Sequence, residues 1–368
     1  MAWRVILAAA AVGVNACASV GGVAPAFQTR AWRTYLGSDQ RAPAAADSLS
    51  PDPTPAWQAK VARGLVGSPA LTEQLVVLAQ VDQQVAVLDR ATGKLLWRRG
   101  TGEYLGSGPL VDYDQVYMAT QSGEGHVLAL DLRNGKRLWT TRVGPTAAPL
   151  AADHRRVFAA GERGEVTALA RSGGRQWRTR LQGGVRAAPL VAGPYLAVAT
   201  TSDTLYLLKR DDGAVVARHP TDGAVVAAPA LADGVILIGS AGGRLEACDT
   251  ATLATRWSVA VGSGVVGAVA VRADTAWVLT DAGDLWRVPL AAPAQATKLS
   301  LGIVSRAAPT PVRGGTLVTG VDGRILLAAP TGATLWSTRI PTPVDQPVLV
   351  DGRFLLAVSK RGDVVAFR

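Results

Sequence analysis

The sequence has very few of the side chains that build metal centres and nucleophilic catalytic sites. Its 368 residues include two cysteines and three histidines. His126, His154 and His219 are separated by long stretches, without the spacings that are typical of metal ligands or of a nucleophile–base pair. No glycine-rich segment follows a strand pattern and opens a helix, which argues against phosphate-loop and dinucleotide sites.

Helical periodicity and clustered positive charge are also missing. After the first twenty residues no long segment repeats apolar residues at helical spacing. The net charge is +10, but only six of the 38 basic residues are lysine and the arginines are scattered along the chain. Without a dense basic run or an aromatic platform, this charge predicts a solvated surface and no nucleic-acid partner.

What the chain does have is a repeat, which is clearest in Gly125–Trp139, GHVLALDLRNGKRLW. Apolar residues alternate along its first half with the period of two that is typical of a strand. Asn134-Gly135 supplies positions that tolerate the positive φ of a tight hairpin turn. A second strand follows and carries Trp139.

Related copies recur at intervals of about forty residues, the length of one four-stranded propeller blade. Most copies open with a small residue followed by proline, as in Ala188-Pro189-Leu190, and close with a tryptophan. The closing rings, or the residues predicted to replace them, are Trp57, Trp97, Trp139, Trp177, Val216, Trp257, about Leu299, and Trp336.

The two ends of the repeat region complement each other. Trp57 has no strand pattern before it, whereas Phe354–Lys360 and Val364–Phe367 have no tryptophan strand after them. Pairing Ala56–Val61 with the C-terminal strands would complete the last sheet and leave no exposed edge at the seam. The sequence therefore predicts an all-β fold: an eight-bladed β-propeller of four-stranded antiparallel blades, closed by the N-terminal strand joining the C-terminal blade.

Residues 1–17 are predicted to be an export signal, with a basic start and an apolar run too short to span a bilayer. Val14-Asn15-Ala16-Cys17 is similar to a bacterial lipobox, which makes Cys17 the predicted lipid attachment site. Simple secretion, with cleavage after Ala18 or Ala26, stays open as the alternative. Residues 18–53 are predicted to be a flexible Ala/Pro-rich tether, and residues 54–368 the propeller.

The A-L-D-x-x-x-G-K-x-x-W character of the copies resembles the quinoprotein-alcohol-dehydrogenase-like propeller superfamily. Within it, the lipobox-like start, the eight repeats and the position of the seam are similar to the BamB family of outer-membrane protein assembly. The resemblance implies a non-catalytic scaffold that binds the periplasmic repeats of the barrel-insertion subunit. It also implies a lipid anchor at the periplasmic face of the outer membrane, with a soluble periplasmic protein as the alternative.

The resemblance also points to partner-binding residues. BamB family members contact that subunit through loops between blades, including an apolar-and-arginine loop that enters the fourth blade. The matching segment makes Leu181, Val185 and Arg186 the predicted contacts, and Asp222 is what remains of an acidic loop before the fifth blade. Because the fourth-blade loop is shorter here and less apolar, an ordinary interblade turn at Val185 and Arg186 is the alternative.

Two other functions use the same fold: a propeller that serves another envelope complex, and a quinone-dependent dehydrogenase. Such dehydrogenases carry a Ca²⁺ site of converging oxygens, a catalytic aspartate and usually an adjacent cysteine pair. Here Asp89, Asp131 and Asp249 occur singly at turns, where bonds to the backbone explain them. The sequence therefore predicts no catalytic, cofactor-binding or metal-binding residue, no small-molecule substrate, and an inert buried thiol at Cys248.

Overall fold

Alternating apolar residues form antiparallel strands throughout the part of the chain that the computed structural model describes, which is residues 49, 52–61 and 63–368. Thirty-two strands form eight sheets of four strands, and each sheet is one blade. In seven blades the strands follow one another in chain order from the inner to the outer edge, and the eighth is completed by strand β1 (Pro55–Lys60). The predicted eight-bladed all-β propeller is confirmed.

The strands of blades 1–4 have the following bounds. Blade 1 contains β2 (Ala70–Leu71), β3 (Leu75–Ala79), β4 (Gln84–Asp89) and β5 (Leu95–Gly100); blade 2 contains β6 (Leu110–Asp112), β7 (Gln115–Ala119), β8 (His126–Asp131) and β9 (Arg137–Arg142). Blade 3 contains β10 (Ala151–Ala152), β11 (Arg156–Ala160), β12 (Glu165–Ala170) and β13 (Arg175–Arg180); blade 4 contains β14 (Leu190–Ala192), β15 (Tyr195–Thr200), β16 (Thr204–Lys209) and β17 (Val215–Pro220).

Blades 5–8 continue the same order. Blade 5 contains β18 (Ala230–Ala232), β19 (Val235–Gly239), β20 (Arg244–Asp249) and β21 (Thr255–Ala260); blade 6 contains β22 (Ala270–Arg272), β23 (Thr275–Leu279), β24 (Asp284–Pro289) and β25 (Thr297–Ser300). Blade 7 contains β26 (Thr310–Val312), β27 (Gly315–Thr319), β28 (Arg324–Ala328) and β29 (Thr334–Arg339); blade 8 contains β30 (Leu349–Asp351), β31 (Phe354–Val358), β32 (Asp363–Phe367) and β1.

Antiparallel order gives the ring two distinct ends. The hairpins between first and second strands and between third and fourth strands lie at one end, which we call the turn end. The hairpins between second and third strands, and the loops that lead from each outer strand to the next blade, lie at the other, which we call the loop end. The first strands are only two or three residues long, and small residues let neighbouring blades approach there. A Cβ at Gly108 would lie 2.1 Å from the backbone oxygen of Ser68.

The N-terminal strand closes the ring as predicted. Strand β1 pairs with β32 from Pro55 opposite Phe367 to Lys60 opposite Asp363. Thr54 and Arg368 exchange two backbone hydrogen bonds of 3.0 Å, and Lys60 Nζ lies 2.5 Å from Asp363 Oδ1. The last blade therefore has the same four-stranded form as the others.

Tryptophans on the outer strands pack against the next blade. Gly213 shows how closely: its φ is +74°, and a Cβ there would lie 2.5 Å from a ring carbon of Trp177. A ring that buries roughly 200 Å² contributes on the order of 5 kcal/mol. Four indole Nε1 atoms, of Trp57, Trp97, Trp139 and Trp177, donate hydrogen bonds of 2.8–2.9 Å to the backbone oxygens of Arg90, Leu132, Arg171 and Arg210.

The structure corrects the two predicted ring replacements. In blade 4, Leu207 pairs with Ala217 and Leu208 with Val215, so Val216 is the bulged residue and Ala217 occupies the tryptophan position. In blade 6 the register has no bulge, and Thr297 rather than Leu299 occupies that position opposite Arg287. Both predictions were wrong by one or two residues because repeat spacing does not show where a β-bulge lies.

The predicted export signal with Cys17 lies outside the described residues, and the proposed domain boundaries stay predictions. Of the tether, only residues 49, 52 and 53 are described; Leu49 packs against the apolar cluster of blades 7 and 8 that contains Trp336. The described chain contains one 3₁₀ turn, Pro293–Gln295, and no helix that could cross a membrane.

Candidate functional site

The apolar members of the predicted partner-binding loop lie in the core. Leu181 is 5% exposed and Val185 is 0% exposed, and both pack in the cluster that contains Trp177. Their backbone N–H groups donate to Gly164 and Gly161 at 2.8 and 3.1 Å. These two residues support the loop from beneath and leave almost no surface for a partner.

The charged members of the predicted set, in contrast, are exposed at the loop end. Arg186 has no ion-pair partner within the described chain, so its guanidinium is available to a ligand. Asp222 also lies at the surface, with Oδ2 3.3 Å from Arg244 Nε. The structure therefore divides the predicted set into two supporting residues and two surface charges, and their role in partner binding stays a prediction.

Arg186 also lines a cavity of about 210 Å³ on the propeller axis, to which residues near the first strands of all eight blades contribute. The charged residues of its lining are Arg186, Arg306 and Asp345. Asp345 Oδ2 lies 4.0 Å from Lys360 Nζ, whereas Arg306 has no ion-pair partner among the described residues. Arg306 was not predicted as a site residue.

Exposed apolar side chains accompany these charges. Val226 lines the cavity and is 41% exposed, and Val304 of the loop entering blade 7 is 56% exposed. The sequence contained a signal for such residues, because Arg186, Val226 and Arg306 each lie three positions before the proline that opens a blade. Equivalent positions of a cyclic repeat meet around the axis, so the repeat register identifies this ring of residues.

Two histidines that the sequence left isolated have glutamate partners in the structure. His126 Nδ1 lies 2.9 Å from Glu103, and His219 Nε2 lies 3.3 Å from Glu246. Burial raises the pKa of Glu103, but hydrogen bonds with His126 and Thr120 outweigh it, so that the pKa is lowered overall. Each histidine is part of a pair, and the described residues contain no group of three or more His, Cys, Asp or Glu that could hold a metal ion.

Other residues considered for chemistry have structural environments. Burial raises the pKa of the Cys248 thiol to about 12, which makes it unreactive at neutral pH. Hydrogen bonds from the Arg256 guanidinium and from the backbone of Ala251 and Thr252 lower the pKa of Asp249. The interpretation of this aspartate as a turn residue is confirmed.

The closed ring of eight repeats, with tryptophan and glycine packed between blades, defines the class as an eight-bladed propeller of quinoprotein-like repeats. A family model described as outer membrane protein assembly factor BamB matches residues 46–169, 123–194 and 162–368. These matches together span most of the chain. The chain therefore belongs to the BamB family.

Individual relatives agree with this family but are distant. The chain is 29% identical to outer membrane protein assembly factor BamB of Alkalilimnicola ehrlichii over 194 residues, 49% of this chain and 50% of the relative. It is 27% identical to the BamB of Legionella pneumophila over 177 residues, 45% of each chain. The alignments thus span about half the length of these curated relatives.

Solved structures share the fold beyond the family. BamB from Moraxella catarrhalis superposes with a TM-score of 0.74 at 17% identity, covering 86% of this chain and 99% of that one. Quinohemoprotein alcohol dehydrogenase from Comamonas testosteroni gives a TM-score of 0.75 at 14% identity, covering 93% of this chain and 81% of that one. An assembly factor and an enzyme match equally well, so these likenesses establish the fold alone.

Proposed function

We propose that this protein is a non-catalytic scaffold in the assembly of outer-membrane β-barrel proteins. The observation that carries the proposal is the BamB family match from residue 46 to the C-terminal residue. Two arginines without an ion-pair partner in the described part of the chain, and exposed valines, lie next to an axial cavity of about 210 Å³. Such a surface suits recognition of a protein segment that carries acidic and apolar side chains.

The proposed partner is the barrel-insertion subunit of the assembly complex, contacted through its periplasmic repeats. Arg186 and Asp222 are the proposed direct contacts because they are the exposed members of the predicted set. Leu181 and Val185 act by holding the loop in place. The proposed location is the periplasmic face of the outer membrane, with acylation of Cys17 as the anchor and simple secretion as the alternative.

Co-purification from solubilised envelopes tests the partner. We expect the tagged chain to recover the barrel-insertion subunit, and Arg186→Glu combined with Asp222→Lys to reduce that recovery at least tenfold, since reversed charges at a contact cost several kcal/mol. Arg313→Glu is the matched control, because Arg313 is exposed at the turn end of blade 7 and should leave recovery unchanged.

Two results would contradict the proposal. Failure of the unmodified chain to recover the subunit would remove the assembly role, and recovery of a different envelope complex would replace it with the broader role of an envelope propeller. If the subunit is recovered equally with the double variant and with Arg313→Glu, the assembly role stands but the loop contact is wrong. Cell fractionation of a Cys17→Ser variant tests the anchor, which predicts release of the protein from the membrane fraction.

A further inference from the structure

The outer strands of blades 1 and 2 carry exposed leucines surrounded by cations. Leu95, Leu96 and Leu138 are 43%, 41% and 46% exposed. They lie at the beginning of β5 and β9, immediately after tight turns. The cations that flank them are also exposed: Lys94, Arg99, Arg133, Lys136 and Arg137. We call these eight residues the basic rim.

The cations of the basic rim are not neutralised by ion pairs. None has a carboxylate within ion-pair distance among the residues that the structure describes. The side chain of Arg137 donates to the backbone oxygen of Thr101 at 2.6 Å, and that of Arg99 donates to the backbone oxygen of Arg98 at 3.1 Å. Neither contact is with a carboxylate, although Arg137 lies close enough to Glu103 for its charge to help lower the pKa of that carboxyl.

Two carboxylates, Asp89 and Asp131, lie in the turns of the rim itself and are outnumbered by its five cations. Asp89 and Asp131 accept hydrogen bonds of 2.8 Å from Thr92 N and Arg133 N in their own turns. Glu73 and Asp114 belong to the hairpins between first and second strands, nearer the axis. A positive, partly apolar edge is therefore presented outward.

The position of the rim relates it to the N-terminal segment. Outer strands begin at the turn end, so Leu95 and Arg137, the first residues of β5 and β9, lie there. Strand β1 begins at the same end with Pro55, in blade 8, which is next to blade 1. The residues that precede Pro55 therefore join the ring at the turn end, opposite the loop that contains Arg186. Leu49 packs on the blade 7 side of this junction, and the basic rim lies on its blade 1 side.

We propose that the basic rim docks on an anionic phospholipid surface, an inference that rests on the envelope location in the proposed function. Leucines enter the boundary between headgroups and acyl chains, while the lysines and arginines bind lipid phosphates. Lipid at Cys17 would hold this side of the ring toward the membrane and leave the loop end facing partners. A second copy of the chain is a poorer occupant because it would place the same cations against each other.

Fluorescence of a polarity-sensitive dye tests this docking in residues 18–368, which lack Cys17 and keep all thirty-two strands. Its one cysteine, Cys248, is buried, so a cysteine introduced at Leu138→Cys can be labelled selectively. Val216→Cys is the matched control: Val216 is likewise the bulged residue of an outer strand and is 40% exposed, but its turn contains Asp211 and Asp212.

We expect vesicles that contain phosphatidylglycerol to shift the emission of the dye to the blue at position 138 and not at position 216. Vesicles of phosphatidylcholine alone should shift neither. Each lysine near an anionic surface strengthens binding about fivefold, so Lys94→Gln with Lys136→Gln should weaken vesicle affinity about 25-fold. The matched pair Lys209→Gln and Arg313→Gln removes two exposed cations of the turn end in blades 4 and 7 and should change affinity much less.

Equal shifts at both positions, or no shift at either, would overturn the proposal. A shift at position 138 with soluble polyglutamate but not with vesicles would also overturn it and would identify an acidic polypeptide as the occupant. The assay contains no assembly subunit, so its failure leaves the proposed assembly role standing. Failure of the co-purification experiment, conversely, would not alter vesicle binding.

Discussion

Blade 3 meets blade 4 through Trp177 and Gly213, whereas blade 4 meets blade 5 through Ala217 and Leu253. Gly213 and Leu253 occupy the same position: each backbone N–H donates to the residue four positions earlier, and their φ angles are +74° and +58°. Leu253 is 2% exposed and belongs to the apolar cluster against which Ala217 packs. The large side chain has moved from the outer strand of one blade to the turn of the next.

Replacing the tryptophan–glycine pair by alanine and leucine keeps apolar volume at the interface but loses the hydrogen bond of the indole. Trp177 Nε1 donates to Arg210 O at 2.9 Å, and neither alanine nor leucine can replace that bond. A leucine at positive φ is also strained, because its Cβ crowds the backbone. We conclude that the propeller geometry tolerates different side chains wherever two neighbouring blades together fill the space between them.

Charged contacts between blades also differ around the ring. The residue after the third strand is an arginine in blades 1, 3, 4 and 8, and in blades 1, 3 and 4 this arginine contacts an aspartate of the preceding blade. These pairs are Arg90 with Asp351, Arg171 with Asp112, and Arg210 with Asp153. In blades 5 and 6 the same position holds Thr250 and Leu290, which cannot form an ion pair.

Removing a docked ring should have the largest effect on stability. We expect Trp177→Ala to lower the free energy of unfolding by about 3–5 kcal/mol, because it leaves a cavity and removes one of the two hydrogen bonds that the Arg210 carbonyl accepts. The other, from Arg156 Nη1 at 2.8 Å, remains. Urea denaturation followed by circular dichroism measures it. Trp177→Phe keeps most of the apolar contact and should cost about 1–2 kcal/mol. A loss from Trp177→Ala no larger than that from Trp177→Phe would show that the ring volume contributes little.

A double-mutant cycle at the interface of blades 4 and 5 tests whether the two arrangements are interchangeable. Leu253→Gly alone should cost about 3 kcal/mol by opening a cavity, and Ala217→Trp alone about 1–3 kcal/mol by overpacking against Leu253. The double variant recreates the tryptophan–glycine pair and should recover at least about 1 kcal/mol relative to the sum of the single changes. Strict additivity would show that the two positions do not share one space.

The ion pair between blades 8 and 1 should have a smaller effect on stability. Arg90 Nη1 lies 2.6 Å from Asp351 Oδ2, and the two side chains are 13% and 26% exposed. We expect Asp351→Asn to cost about 2 kcal/mol, as is typical of a partly buried charged hydrogen bond. The control is Glu124→Gln, whose pair with Arg142 is mostly exposed at 2.9 Å and should contribute less than about 1 kcal/mol. Equal losses of stability from the two variants in urea titrations would mean that partial burial does not strengthen the Arg90–Asp351 pair.

The repeat was enough to predict the architecture, but it predicted the partner-binding residues only in part. Strand alternation, opener prolines and the unmatched ends at Trp57 and Phe367 identified the blade number and the closing strand. The same evidence could not show that Val185 is buried, because an apolar loop residue has the same letter whether it faces a partner or the core. Val216 was misplaced for a related reason: a β-bulge shifts the register of side chains without changing the spacing of the repeat.

High pH should lower the stability of the fold through two buried ionisable groups, one in blade 2 and one in blade 5. Burial raises the pKa of Tyr117 in blade 2 to about 12 and that of Cys248 in blade 5 to about 12, from ordinary values of 10.0 and 9.0. Both groups stay neutral in the folded chain, while the unfolded chain loses these protons as pH rises above 9 and then 10. Ionisation therefore favours unfolding, and stability should fall by roughly 2 kcal/mol between pH 8 and pH 10.

The two contributions can be separated by substitution. Urea midpoints measured at pH 8, 9, 10 and 11 should fall less steeply from pH 9 in Cys248→Ala and from pH 10 in Tyr117→Phe, because each variant removes one ionisation from the unfolded state. At pH 8 the tyrosine variant should be neutral or stabilising, since the buried Tyr117 hydroxyl has no hydrogen-bond partner among the described residues and its removal relieves a desolvation cost. If both variants lose stability with pH as the unmodified chain does, other groups cause that loss. The pKa values of Cys248 and Tyr117 are then not raised by burial in the folded chain.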